Sequence, residues 1–181
     1  IAYNVNDEDL KQNVQTALDA AAAYNARSTE RKRGVGVASC WYGCGNTSLP
    51  NPSTVRLGVT ADGRLVLHQG ATDIGQGSNT VITQICADAL GLPVAAFELV
   101  GPDTALTPDC GKTSASRQTF VTGNAALASG KVLRQSILRL ANMSDAAELA
   151  LVGGVLSASE GGRSQKIDLA SMPADDHGYV I

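Results

Sequence analysis

Apolar residues recur along this chain with two different periods, and the switches between them divide it into elements. From about Glu8 to Ala26, Leu10, Val14, Leu18 and Ala21 return every three or four positions, which predicts a helix with one buried stripe. Asp7 is placed to cap its start. Gly34 to Ser39 alternates small and apolar residues, as a strand does. Trp41 to Pro52 is broken into a loop by Gly43, Gly45, Asn46, Pro50, Asn51 and Pro52. Val55 to Thr60 and Arg64 to Gln69 both alternate, about the hairpin connection Ala61-Asp62-Gly63, where Gly63 can take positive φ. Helical spacing returns in Val81, Ile82, Ile85, Cys86, Ala89 and Leu90. Gly91 ends that helix, Pro93 prevents its resumption, and a strand follows near Ala96 to Val100.

A second long helical pattern starts after Arg117 and runs to about Ala141 through Val121, Ala125, Ala128, Val132, Ile137, Leu138 and Leu140. Gly123 and Gly130 lower its helix propensity, so close packing against a neighbouring element or a bound group is the expected reason for them. Ala150 to Ser157 and Gln165 to Leu169 read as another hairpin, its first strand bent at Val152-Gly153-Gly154-Val155. Helices that follow runs of adjacent strands imply an α+β fold, strand hairpins with packed helices, rather than a doubly wound sheet.

Composition narrows the function. At 181 residues the chain forms one domain or two small subdomains, with enough length for a sizeable core. Only 4% is aromatic, so the core is expected to be aliphatic, with helices packed over small residues. A net charge of -3 and a pI near 5.3 leave no basic excess to neutralise phosphates, which argues against nucleic acid. The isolated cluster Arg31-Lys32-Arg33 reads as a solvated loop. No run of eighteen apolar residues exists, so no membrane span is expected, and no signal segment is seen. Cys40 and Cys44 lack a second pair or a His cluster to complete a metal site, while Cys86 reads as a small buried thiol. Reduced thiols in a cytoplasmic protein are the expectation. His68 lies on a strand and His177 in a tail, neither with a catalytic partner. Asp73, Asp103 and Asp109 are scattered carboxylates, and no nucleophile elbow, zinc-protease helix or phosphate-binding loop occurs.

Candidate chemistry lies in two polar loops that each follow a strand-like run and open onto a helix. The first is Gly70-Ala71-Thr72-Asp73-Ile74-Gly75-Gln76-Gly77-Ser78; the second is Gly111-Lys112-Thr113-Ser114-Ala115-Ser116-Arg117-Gln118. A helix start offers unpaired N–H groups and the positive end of the macrodipole, a natural seat for an anion. Gly75 and Gly77 let the backbone approach a ligand closely, and the Gln76 amide can both donate and accept. Thr113, Ser114 and Ser116 bring hydroxyls, Arg117 a forked charged donor, and Ala115 a side chain small enough to leave room. The plainer readings are a tight turn in the first loop and a Ser/Thr cap in the second.

Together these two loops resemble the cofactor loops of the molybdenum hydroxylases, the group of xanthine dehydrogenase and bacterial aldehyde oxidoreductases. Further matches are Asp62-Gly63, the helix Thr80 to Leu92 with Ala-Leu-Gly-Leu-Pro at its end, Asp103-Thr104 with Pro108, and Thr122-Gly123-Asn124-Ala125-Ala126. The resemblance spans about residues 8 to 170 and is weakest over the last dozen. It implies that residues 1–181 are a fragment of the molybdopterin-binding domain of a longer chain. A first residue Ile1 and a strand-like Gly178-Tyr179-Val180-Ile181 at the other end agree with that.

By the same resemblance, Gly75, Gln76, Gly77, Ser78, Thr113, Ser114, Ala115, Ser116, Arg117 and Gln118 would hold molybdopterin with its molybdenum. Arg117-Gln118 resembles the aldehyde oxidoreductase branch, which implies molybdopterin cytosine dinucleotide. The complete enzyme would hydroxylate an aldehyde or an N-heterocycle with oxygen from water. Its electrons would leave through 2Fe-2S centres and FAD on other domains or subunits. The remainder of the large subunit, those electron-transfer partners and a small-molecule substrate are the implied partners. The family's upstream cofactor loops and its downstream catalytic glutamate are not found here; Glu160-Gly161-Gly162 lacks the context for that role. No catalytic residue and no protein metal ligand is therefore assigned. A competing reading is a non-catalytic α+β scaffold or interaction domain whose helix-start loops bind small anions.

Overall fold

A computed structural model describes residues 7–38, 43, 45 and 50–181, the first four of these by backbone alone. The side-chain cap expected of Asp7, the strand end at Ser39, Cys40, Cys44 and much of the loop predicted from Trp41 lie outside that description. The chain divides into two compact units, Ile1–Gly43 and Cys44–Ile181.

In the first unit, helix α1 spans Asp7–Arg27. Its C-terminus is closed by the basic cluster rather than left to solvent. Lys32 Nζ donates to the carbonyls of Asn25 and Ser28, both at 2.7 Å, where a helix end has orphan acceptors and favours positive charge. Asn25 exchanges two hydrogen bonds with the main chain of Arg33, whose guanidinium lies 4.0 Å from the centre of the Tyr24 ring. Two expectations fail here. The stripe on α1 is not buried: Val14 and Ala21 are half-covered and Leu18 is 44% exposed. Residues 34–38 are not a strand, because alternation alone does not make one without a ladder partner, and none is found among the described residues.

The second unit carries the loops. Strands β1 (Val55–Val59) and β2 (Leu65–Gln69) form the predicted hairpin, with Gly63 at φ 82° in its turn. Helix α2 (Ser78–Leu90) then crosses over to β3 (Phe97–Val100), which pairs parallel to β2. The sheet order is β1-β2-β3, and central β2 buries Leu65, Val66 and Leu67 in succession. Gly91 ends α2 in the left-handed conformation at φ 81°, as expected of a C-terminal glycine.

Helix α3 (Gln118–Ala141) packs against α2 and runs parallel to it. The direction follows from their contacts: Gly123 faces Ile85, Gly130 faces Cys86 and Ala89, and Arg134 donates to the Leu90 carbonyl at 3.0 Å. Both helix starts therefore lie at the same end of the pair. The buried stripe of α3 includes Thr122, Ala126, Gly130, Leu133, Ile137 and Ala141. Val132 is 60% and Leu140 52% exposed, and Ala128 is exposed as well. A helix rich in small apolar residues has two plausible faces, and the close approach to α2 selects the one bearing Gly130.

The predicted second hairpin is a three-stranded antiparallel meander, β4 (Glu148–Val152), β5 (Val155–Glu160) and β6 (Arg163–Asp168). Gly153-Gly154 is a turn, not a bend: both residues have positive φ (57° and 78°), and Gly161-Gly162 repeats this at 54° and 80°. Successive left-handed residues form the two-residue turn whose twist matches a hairpin. The chain end lies along the free edge of β1, with Val180 N donating to Val59 O at 2.8 Å and Val59 N to Ile181 O at 2.9 Å. Tyr179 covers Gly58, and its hydroxyl is 2.5 Å from His68 Nε2. Burial holds the His68 imidazole below its ordinary pKa, and nearby Arg56 adds to this. The architecture is α+β.

The two glycines of α3 should respond differently to alanine. A Cβ at Gly130 would lie 2.8 Å from both Ala89 Cβ and the Cys86 carbonyl oxygen, neither of which can rotate away. Gly130→Ala should therefore lose about 1–3 kcal/mol to overpacking, more than the gain of up to about 1 kcal/mol in helix propensity. At Gly123 the obstacle is the end of the Ile85 side chain at 2.9 Å, which can move. Gly123→Ala should be neutral or slightly stabilising, and denaturant melts of the two variants check the contrast.

Candidate functional site

The first loop is built from the end of β2 outward. Gln69 is wholly buried; its Oε1 accepts from Ala71 N at 2.7 Å and its Nε2 donates to Asn79 Oδ1 at 2.6 Å. It thereby ties the strand end to the first turn of α2. At Gly70 the loop passes so close to the second loop's approach that a Cβ would sit 2.6 Å from Pro108 O. Gly70 N donates to Cys110 Sγ at 3.0 Å, and that thiol donates to Thr54 O at 3.1 Å.

Asp73 organises the turn. Its carboxylate accepts from Gly75 N at 2.9 Å, Gly77 N at 3.2 Å and Asn79 N at 3.1 Å. These bonds hold its carboxyl below the ordinary Asp pKa. The start of α2 is thus already served by a side-chain anion, which changes the picture of an open anion seat there. Gln76 is braced within the loop, accepting from Ile74 N at 2.6 Å and donating to Thr72 O at 3.0 Å and Ser78 Oγ at 3.3 Å. Ser78 is buried, with its hydroxyl 3.4 Å from Thr72 O. Gly75 and Gly77 are left-handed at φ 100° and 82°, and a Cβ on either would meet nothing within 4 Å. Thr72, Ile74, Gly75 and Gln76 are the exposed residues of the loop between Gly70 and Ser78, Ile74 being 75% accessible.

The second loop is joined to the first at one threonine. Thr113 Oγ1 accepts from Thr72 N at 3.1 Å and lies 3.3 Å from Thr72 O as a donor. Gln118 Nε2 reaches back to Thr113 Oγ1 at 3.2 Å and to Lys112 O at 3.1 Å, while its Oε1 accepts from the Thr122 hydroxyl. Ala115 and Ser116 are successive left-handed residues, at φ 50° and 52°, which turn the chain sharply before α3. Ser114 and Ser116 are exposed and Ala115 half-buried, and Ala115 O accepts from Gly45 N at 2.7 Å.

Arg117 is not presented to the loop surface. It is 2% exposed, and its guanidinium donates to Pro52 O at 2.7 Å, Cys110 O at 2.6 Å, Lys112 O at 2.9 Å and the Asn51 side-chain oxygen. The forked donor expected to face an anion is spent on the protein's own acceptors. Gln118, also buried, stands behind the loop in the same way. The ten residues singled out from sequence thus gather at one rim, eight in its two loops and two behind it. Sequence reasoning names Asp73 only as a scattered carboxylate and gives Gln69, Cys110 and Asn51 no part in the site. An Asp four residues before a helix-start glycine is a legible capping signal; the Asn51–Arg117 pairing, 66 positions apart, has no local sign.

Two recesses among the described residues lie elsewhere, one beside Gln135, Arg139 and Met143, the other along the turn from Glu160 to Ser164. No cluster of three or more His, Cys, Asp or Glu that could hold a metal ion occurs among the described residues. Among them, too, no helix is long and apolar enough to cross a membrane. Burial pushes the Cys86 thiol up to about 12, in keeping with an inert packing role.

Residues 10–177 match the family described as molybdopterin cofactor-binding domain. The chain belongs to that family, within the molybdenum hydroxylases. The xanthine dehydrogenase molybdenum-binding subunit of Escherichia coli O157:H7 is 36% identical over 113 residues, 59% of this chain and 14% of that protein. The aldehyde oxidoreductase of Megalodesulfovibrio gigas is 31% identical over 121 residues, 65% of this chain and 13% of that protein. The solved aldehyde oxidoreductase of Desulfovibrio desulfuricans shares the fold, with a TM-score of 0.54 at 22% identity over 86% of this chain and 22% of that one. The chain thus spans about one seventh of the length of these two curated relatives.

Asp73 offers a direct test of the first loop. A carboxylate whose folded pKa is depressed stabilises its loop fully above the ordinary Asp range and loses that effect as pH falls through the lower folded value. The amide resonances of Gly75, Gly77 and Asn79 should titrate together, with one midpoint below that of an unstructured Asp. Independent or absent titration would mean that the carboxylate does not hold the turn.

Proposed function

We propose that the two joined loops form part of the seat of a molybdopterin cofactor in a larger molybdenum hydroxylase. The observation that carries this is the Thr72–Thr113 junction. It places side by side two loops that expose left-handed backbone and hydroxyls, with open space above both Gly75 and Gly77. The residues fit such a group. Glycines with no neighbour above them admit a close backbone approach, and exposed Ser114 and Ser116 suit the polar edge and phosphate of a pterin cofactor.

In this reading Gly75, Gln76, Gly77 and Ser78 form one wall and Thr113, Ser114, Ala115 and Ser116 the other. Asp73, Arg117 and Gln118 keep both walls in shape. A cofactor held there would supply a redox-active metal centre for oxidation of the substrate, with water as the source of the product's new oxygen. This chain's residues orient the group and supply neither acid nor base. The complete protein would oxidise an aldehyde or an N-heterocycle in the cytoplasm, with 2Fe-2S and FAD centres on other domains or subunits. The cytosine dinucleotide form is the reading for the cofactor, on the strength of Arg117-Gln118. A scaffold binding only small anions is less well supported, because Asp73 already occupies the start of α2.

Full-length protein from a host that makes the cofactor should contain near-stoichiometric molybdenum, and its absence would favour the scaffold. Gly77→Val forces a branched side chain into a left-handed position, yet its Cβ meets no protein atom. It should lower molybdenum content more than thermal stability; full occupancy would reduce the loop to a turn. The 181-residue chain alone should show neither tight cofactor binding nor aldehyde- or purine-dependent dye reduction, since two walls retain few of the contacts that bury the group.

A further inference from the structure

We infer that Arg117 is the positioning residue of the second loop, a clamp that shapes residues 110–117 from behind while the chain in front of it contacts the ligand. This rests on the reading of the loops as a cofactor seat. Four observations carry it. Arg117 is 2% exposed, so a ligand at the rim meets main chain and hydroxyls before it meets the guanidinium. Its donors reach two separated stretches of chain, Asn51-Pro52 on one side and Cys110 with Lys112 on the other. Gly111, left-handed at φ 68°, leaves the space it fills: a Cβ there would lie 2.8 Å from Nη1 and 2.9 Å from Nη2. Finally, no Asp or Glu pairs with it among the described residues, so its charge is met by carbonyl and amide dipoles alone.

The geometry demands a planar fork. Nη1 bonds two carbonyls of the loop, Nη2 a third on Pro52, and Nε the Asn51 amide. A lysine ammonium is a point donor and cannot span both stretches, so charge without the fork should not suffice. The consequence separates this role from direct recognition of an anion, in which lysine would restore much of the function.

Two readouts on the full-length protein, made in a host that supplies molybdopterin, test the clamp. One is molybdenum per protein; the other is amide exchange over residues 50–54 and 109–118. Arg117→Lys and Arg117→Ala should both lose at least about tenfold in molybdenum retention, as removal of several charge-assisted bonds implies. Exchange should quicken in both stretches and stay unchanged over residues 126–141. Added guanidinium ion should restore part of each readout in Arg117→Ala but not in Arg117→Lys, where the ammonium occupies the space. An Arg117→Lys protein with wild-type molybdenum overturns the clamp, whether or not its loops loosen. If neither Arg117 variant accumulates, Asn51→Ala removes a single bond; wild-type exchange over residues 110–117 in that variant would overturn the proposal equally. Wild-type protein without molybdenum would instead refute the cofactor reading, leaving exchange alone to judge the clamp.

Discussion

The parallel packing of α2 on α3 is the constraint from which the site follows. At Gly130 the backbones approach so closely that Ala89 and the Cys86 carbonyl leave no room for a methyl group. Two helices locked in parallel bring both positive ends to one edge of the molecule, an arrangement their dipoles alone disfavour. Packing outweighs that repulsion, because the helices bury Ile82, Cys86, Ala126 and Leu133 around the contact. The loops that enter the two helices then have nowhere to lie except against each other, and Thr72 and Thr113 join them.

Helix α3 is pinned at both ends by an arginine that bonds only main-chain carbonyls or an amide. Arg117 stands at its start. Near its other end Arg134 donates to Leu90 O and to the carbonyls of Asp145 and Ala147 at 2.9 and 2.7 Å, which ties the C-terminus of α2 to the approach of β4. Carbonyls in irregular chain have few other donors within reach, and an orphaned buried acceptor is costly. A long cationic side chain with several N–H groups satisfies many of them at once. This is why segments distant in sequence converge on each guanidinium.

The element boundaries of the second unit are largely legible, because α2 is bracketed by Gly77 and Gly91 with Pro93 beyond and the first hairpin turns at Gly63. The parallel β2–α2–β3 crossover cannot be read from the pattern, since a strand's partner is a tertiary fact. The pattern does not fix the buried face of α3 for a similar reason: Val132 and Leu140 look as suited to a core as Leu133 and Ile137, and only the neighbouring helix decides between them. Likewise Gly153-Gly154 reads equally as a bend or as a turn until β5 has β4 to pair with. In the candidate site the two loops are legible and the directions of their side chains are not. Both loops were found from their composition, whereas the inward direction of Arg117 depends on Asn51 and Pro52, which no local pattern connects to it.

That inward direction explains the composition of the rim itself. Once buried Gln69, Arg117 and Gln118 fix the loops from behind, the residues in front need only small size and unusual backbone angles. Gly75, Gly77, Ala115 and Ser116 meet both needs, all four at positive φ. For the alanine and the serine such angles are uncommon and persist only where surrounding bonds over-determine them, as those of Arg117 and Gln118 do. At these four positions a large or charged side chain would add contacts of its own but would stand between the main chain and whatever approaches it. The rim is therefore specified by what lies behind it, and substitutions there should change its shape, whereas substitutions in front should change what it can touch.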